Sequence, residues 1–327
     1  MRLVQLIDPG GVRRVARVTD RGGLAILDGA ESTYALAMEA ARGGRSIEAL
    51  VERRPVIGTR GYGEVRLLPP LDHPDPAHCL VTGTGLTHIG SAQARDSMHA
   101  VQAEDEAKLS DSMKMFRLGI EGGKPEGGGP GVAPEWFYKG DGGCVVPPGE
   151  PLTMPGFALD GGEEAELALL YVIDDAGRPR RVGSALGNEF SDHVIERQNY
   201  LYLAHSKLRQ CSFGPELLLG EPPQDVRGAV RVYRGDGVLW EGELVSGEAN
   251  MSHSLANLEH HHFKYAEHRR PGDVHVHFLG AAVLSFSSGV RVEPGDMFEI
   301  QAADYGEPLR NPVRRAEDEG RVRVTPL

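Results

Sequence analysis

Residues 163–170 read Glu-Glu-Ala-Glu-Leu-Ala-Leu-Leu, acidic where the run begins and wholly apolar where it ends. Side chains alternate along a strand, so Glu164, Glu166, Ala168 and Leu170 share one face. Two carboxylates on a face that then turns apolar are costly to bury unless something neutralises them. A hard cation such as Mg²⁺ or Ca²⁺ does so, because it prefers several carboxylate and water oxygens around it. The competing account is a strand end that stays in water and needs no ion.

The surrounding chain favours strands. It carries 43 Gly and 22 Pro with only 6% aromatic residues, a turn-rich mix that suits a β architecture better than a helical bundle. Its 327 residues suffice for one large domain plus a smaller one. A formal net charge of −12 repels phosphate backbones and anionic lipid, so neither nucleic acid nor a membrane surface is an expected partner. The same field repels a carboxylate substrate, so a site for an acid needs a metal or a local Lys or Arg. Cys79, Cys144 and Cys211 share no metal-type spacing and read as reduced thiols of a cytoplasmic protein. No apolar run is long enough for a signal peptide or a membrane span.

Residues 1–75 read as a small α+β domain. A strand over Leu3–Ile7 stops at Asp8-Pro9-Gly10-Gly11, and Val12–Val18 is its hairpin partner. Ser32 is placed to cap a helix ended by Gly43-Gly44, and Ser46 to cap a second helix stopped before Pro55. Residues 76–327 read as a second, larger domain. A strand begins at Val81, a helical stretch runs over Ala92–Met115, and residues 119–131 are glycine-rich and read as a mobile segment, either a surface linker or a lid. Later strands are expected over Ala165–Ile173, Ala229–Tyr233, Val274–Leu284 and Met297–Ala302.

Several further segments stand in a telling order. They are Phe137-Tyr138-Lys139-Gly140, the Glu164/Glu166 pair, Gly187-Asn188-Glu189-Phe190-Ser191-Asp192, Lys207, then Pro294-Gly295-Asp296 and Asn311-Pro312-Val313. Over roughly residues 79–313 this order resembles the fumarylacetoacetate hydrolase superfamily. The resemblance implies a mixed, β-rich α/β chain with a β-roll catalytic domain, a homodimer, and Mg²⁺ as cofactor, with Mn²⁺ and Ca²⁺ as alternatives. It implies Glu164 and Glu166 as the first two metal ligands. Glu189 stands where the family has Asp, with Asp192 as a competitor for the third place. Lys207 is expected to approach the substrate carboxylate or the reacting carbon, and Lys139, Gly280 and Ala281 to line the substrate. The family's Thr-Gly-Thr-Pro loop is replaced near Leu279-Gly280-Ala281-Ala282, which puts its usual hydroxyl contact in doubt.

The His–Glu pair that activates water in the hydrolases has no clean match. Gly85-Leu86-Thr87-His88-Ile89-Gly90 with Arg95-Asp96 stands there instead and is similar to the sugar-acid branch, which tends to dehydrate 2-keto-3-deoxy aldonates. The implied substrate is a small 2-oxo acid, with Lys207 or Glu121 as candidate base and His88 or Asp96 as candidate acid. A C–C hydrolase or decarboxylase of a 2,4-dioxo acid, and a non-catalytic β-barrel binding module, remain open. A rival metal site is offered by His275 and His277 at i, i+2, with His253 and His260–His262 upstream. No carboxylate follows between Phe278 and Ser288, so these histidines read as packing residues. There is no Gly-Lys-Ser/Thr phosphate loop and no Gly-x-Ser-x-Gly elbow.

Overall fold

The computed structural model describes residues 1–88, 110–127 and 129–327. Short local signals set the first elements. Strands β1 (Arg2–Ile7), β2 (Arg13–Val18) and β3 (Leu24–Leu27) form a meander, followed by two helices, α1 (Thr33–Gly43) and α2 (Ile47–Arg53). The Ser32 and Ser46 hydroxyls accept from Ala35 and Ala49 N–H, satisfying amides that helix starts leave unpaired. Gly44, at φ 59°, ends α1 in the left-handed conformation. β4 (Val56–Arg60), β5 (Arg66–Leu67), β6 (Cys79–Gly85), β7 (Glu135–Asp141) and β8 (Leu152–Met154) follow. Next come the long hairpin β9 (Ala165–Ile173) and β10 (Pro179–Asn188), then β11 (Ser212–Phe213) and β12 (Leu217–Leu219). The chain finishes with β13 (Val226–Arg234), β14 (Gly237–Ser246), β15 (Val274–Phe278), β16 (Met297–Ala302) and β17 (Leu309–Arg315).

Two mixed sheets result. The larger runs β4-β3-β2-β1-β12-β10-β9-β15-β6-β7, with β5 on β1 and β11 on β10; the smaller runs β14-β13-β16-β17-β8. β9 is buried along its whole length and, Glu166 apart, is apolar throughout. Its Ala168, Leu170 and Val172 pack with Leu36, Leu50 and Val51 of α1 and α2. Its Leu167, Leu169 and Tyr171 pack with Val230, Leu244 and Ile300 of the smaller sheet. The strands of residues 1–75 join the rest edge to edge, through the pairing of β1 with β12. Among the described residues no helix is long and apolar enough to cross a membrane.

Two expectations need correction. Within the glycine-rich stretch, a helix over Asp111–Gly122 carries the chain to Gly122, and Lys124 and Gly131 are bonded to other parts of the chain. Gly131 N–H donates to Asn257 Oδ1 at 2.8 Å and Lys124 Nζ to the Glu248 carbonyl at 2.7 Å. Gly123 and Gly131 serve close packing, since a Cβ there would lie 2.5 or 2.2 Å from a backbone oxygen, while Gly127 and Gly129 meet nothing. Only the end of the helix expected over Ala92–Met115 lies among the described residues. The strand from Val274 stops at Phe278, because Gly280 adopts φ +94° and turns the chain.

Gly183 sits where β10 meets β12, next to a register shift in the β9–β10 ladder. A Cβ there would fall 2.1 Å from the Leu218 carbonyl oxygen. Gly183→Ala is therefore expected to destabilise the protein by about 1–3 kcal/mol through overpacking, measured by denaturant unfolding. No change would mean that the two backbones are not in contact.

Candidate metal centre

The sheet register builds the site. In the β9–β10 ladder Ala165 pairs with Asn188 and Glu166 with Gly187. The pairing continues one residue outward, where Glu189 N–H donates to the Glu164 carbonyl at 2.9 Å. Glu164 and Glu189 are thus cross-strand neighbours on one face, and Glu166 lies diagonally beside them. Their carboxylates lie within 4.8 Å of one another, and all three residues are buried. Gly187 leaves the position opposite Glu166 without a side chain, and the Phe278 ring closes over it.

Two lysines from other elements compensate this charge. Alternation along β7 turns Glu135, Phe137 and Lys139 inward. Lys139 Nζ lies 2.6 Å from Glu189 Oε1 and donates to the Phe190 and Lys207 carbonyls. Lys207, closing the short helix Leu203–Lys207, contacts Glu164 Oε1, Glu189 Oε2 at 2.5 Å and Ser191 Oγ at 3.3 Å. Its ammonium also lies over the Phe137 ring, 4.9 Å from the centroid. The turn at Gly280 aims its N–H at Glu166 Oε2, 2.7 Å away.

The three carboxyls are not alike. Burial acts to raise Glu164, but the Lys207 charge and the His193 imidazole outweigh it and hold it below the ordinary range. Burial raises Glu189, opposed by Lys139 and Lys207. Burial and the charges of Glu189 and Glu164 push Glu166 well above the ordinary range. Lys139 and Lys207 face Glu189, Lys207 and His193 face Glu164, and Glu166 accepts the Gly280 N–H. A donor set of three buried carboxylates within reach of one another fits a divalent cation.

Other expected residues fall in different places. Asp192 caps the helix His193–Gln198 and accepts from Leu159 N–H and from Arg209, so it is turned away from the cluster. His88 is buried beside Thr87, whose hydroxyl bonds the Leu279 carbonyl next to Gly280. Burial lowers His88 to about 4, so it is neutral at pH 7. Ala281 is buried beside Gly280. Glu121 is exposed on the helix Asp111–Gly122, and no hydrogen bond or ion pair joins it to the carboxylates. Asp96 lies outside the described residues.

Sequence reasoning passed over His193. It is buried, its Nε2 is 3.3 Å from Glu164 Oε1 and its Nδ1 is 3.5 Å from Asp160 Oδ2. Its ring stacks on Phe286, and Gly162 is needed for its fit, since a Cβ there would lie 2.6 Å from the ring. Burial would lower His193, but Asp160 and Glu164 raise it to about 10. Glu163 turns the other way, accepting the Ser285 N–H and hydroxyl at 2.7 Å. A single His four residues after Glu189 carries no spacing signal; only the ladder brings it to Glu164.

The histidine rival does not assemble. His262 Nε2 is used on His275 Nδ1 at 2.9 Å, Trp136 Nε1 donates to His262, and His277 Nδ1 meets Thr82 Oγ1 at 2.8 Å. Burial lowers His275 and His277 to about 3, as expected of packed neutral rings. Among the described residues, Glu164, Glu166 and Glu189 are the only group of three or more His, Cys, Asp or Glu placed to share an ion.

No family model matches the chain. A probable 2-keto-3-deoxyxylonate dehydratase of Haloferax volcanii is 25% identical over 175 residues, 53% of this chain and 55% of that protein. The match thus spans about half the length of that relative. A solved 2-keto-3-deoxy-D-arabinonate dehydratase complexed with magnesium and 2,5-dioxopentanoate superposes with a TM-score of 0.68 at 18% identity, covering 97% of this chain and all of that one. The 5-carboxymethyl-2-hydroxymuconate delta-isomerase of Mycobacterium smegmatis gives 0.59 at 17% identity over 97% of this chain and all of that one. The chain has the fumarylacetoacetate-hydrolase-like fold, as the sequence resemblance implied.

Lys139 and Glu189 form an ion pair with no exposed side-chain surface. Lys139→Met leaves a buried carboxylate without that partner and is expected to cost about 3–5 kcal/mol of stability. Adding Glu189→Gln should recover part of the loss in thermal or denaturant unfolding. A neutral Lys139→Met, or a double variant no better than the single, would contradict the pairing.

Proposed function

We propose that this chain is a divalent-metal-dependent hydro-lyase that removes water from a 2-keto-3-deoxy pentonate, of the L-arabinonate or D-xylonate type, to give 2-oxoglutarate semialdehyde. The buried triad of Glu164, Glu166 and Glu189, its carboxylates within 4.8 Å of one another, carries the reading. The likeness to sugar-acid dehydratases supports the substrate class, and the missing His–Glu water-activating pattern favours dehydration over hydrolysis.

The three glutamates would hold Mg²⁺, which when bound polarises a 2-oxo carboxylate and acidifies its C3 protons. The chain's own residues do the rest. Lys139 and the Gly280 N–H fix Glu189 and Glu166, so the carboxylates need no reorganisation as charge develops. Lys207, already donating to Glu164 and Glu189, is the cation at hand to bind the substrate carboxylate or to carry a proton at the reacting carbon. His88, kept neutral by burial, suits a hydrogen bond to the departing hydroxyl better than donation from an imidazolium. The balance is loss of one C3 proton and the C4 hydroxyl as water. The C3–C4 double bond then moves to C4–C5 as C5 loses a proton and C3 gains one, and the C5 enol gives up its hydroxyl proton and takes one at C4 to become the aldehyde. We also propose a homodimer, on the resemblance.

With purified protein, Mg²⁺ and a panel of 2-keto-3-deoxy acids, the product is expected to be lighter than the substrate by one water. Glu166→Gln should lower the rate by about 100-fold or more while leaving the fold intact. Pyruvate with a second fragment would mean C–C cleavage, and an unaffected Glu166→Gln would remove the triad from the chemistry.

A further inference from the structure

Cys144 and Cys211 lie outside the carboxylate cluster, yet each ends a segment that carries one of its lysines. Cys144 closes the turn Gly142–Cys144 that follows β7 and Lys139. Cys211 comes shortly after the helix ending at Lys207. Their sulfurs are 4.0 Å apart. The backbones are bonded directly: Cys211 N–H donates to the Cys144 carbonyl at 3.0 Å, and Val146 N–H to the Cys211 carbonyl at 2.8 Å. With standard bond lengths that amide contact keeps the two Cα atoms roughly 6 Å apart, inside the range a disulfide spans. The Cα separation thus meets the distance condition for a disulfide, and the sulfurs, 4.0 Å apart, have the remaining gap to close.

The two thiols are unequal. Cys144 is half-buried and lines a surface cavity of about 470 Å³ with Lys139, Arg209 and Gln210, whereas Cys211 is fully buried. The hydrogen bond from Cys211 lowers the Cys144 thiol, burial opposes this, and the Lys139 charge adds to the lowering. Burial pushes Cys211 well above its ordinary range. Thiolate character and access thus coincide at one sulfur, with a partner behind it.

We propose that Cys144 and Cys211 are a site of reversible disulfide formation by hydroperoxides, with Cys144 as the attacking sulfur and Cys211 as the resolving one. The Cys144 thiolate attacks one oxygen of hydrogen peroxide and the O–O bond breaks. The leaving hydroxide takes a proton to become water, and Cys144 becomes a sulfenic acid. Cys211 then attacks that sulfur; the S–S bond forms, the S–O bond breaks, and the hydroxide leaves with the Cys211 proton as a second water. The sulfur pair loses two electrons and the peroxide gains them. The bond ties the Lys139 segment to the Lys207 segment across a sequence separation of 67 residues, fixing the two ammoniums that compensate Glu189.

The test uses the whole chain and needs neither substrate nor metal. Protein treated with excess hydrogen peroxide is alkylated and peptide-mapped. A Cys144–Cys211 cross-linked peptide is expected, lighter by two hydrogens than the reduced pair and reopened by dithiothreitol, with buried Cys79 still alkylated. In Cys211→Ser a sulfenic-acid probe should label Cys144, and in Cys144→Ser peroxide should leave Cys211 reduced. Oxidised wild-type protein should unfold at a higher temperature than reduced protein, because the bond constrains the unfolded chain. Wild-type protein in which both cysteines stay alkylatable, a cross-link through Cys79, or a lower unfolding temperature on oxidation would each overturn the proposal.

Discussion

Like charges buried together have no cheap solution, and this fold is arranged around such a group. The antiparallel ladder of β9 and β10 sets Glu164 opposite Glu189 with Glu166 diagonally beside them, within 4.8 Å and out of water. An isolated buried carboxylate would shed its charge by taking a proton. Here Lys139 is brought from an edge strand and Lys207 from the end of a short helix, so Glu164 stays ionised while Glu166 is left seeking a cation. The glycines close by serve the same end: Gly187 yields space to Phe278, and Gly280 turns a backbone amide onto Glu166.

What could be read from the chain depended on the range of each cause. Capping serines and a terminal glycine act within a turn, so α1, α2 and the first hairpin were legible residue by residue. The Glu164/Glu166 pair was legible because strand alternation is local. Glu189 was reached by resemblance, since its place opposite Glu164 depends on a pairing that no local pattern encodes. Lys139 is expected by resemblance to line the substrate; that its Nζ also pairs with Glu189 is visible only in the fold. His193 and Asp160 escaped notice because their meaning exists only once the ladder has formed.

Glycine was the ambiguous letter. The same residue serves where the backbone must move and where it must come close, and composition does not separate the two. Both uses occur in residues 119–131: Gly123 and Gly131 touch neighbouring backbone, whereas Gly127, at φ +84°, and Gly129 meet nothing, and Glu121 rides on a helix. At Gly280 the unusual φ was hidden inside an apolar run that reads as unbroken strand. The histidines were ambiguous in a similar way. His275 and His277 share a face of β15, but His277 meets Thr82 and His275 meets His262, which in turn accepts from Trp136.

The central claim is that the glutamate cluster, and not the histidine cluster, holds a divalent cation. Mn²⁺ reports on this directly, because its anomalous scattering locates it in a crystal without reference to activity. Crystals soaked in Mn²⁺ are expected to carry one strong peak per chain, bounded by the carboxylates of Glu164, Glu166 and Glu189. No peak there, or a peak among His262, His275 and His277 instead, would contradict the account.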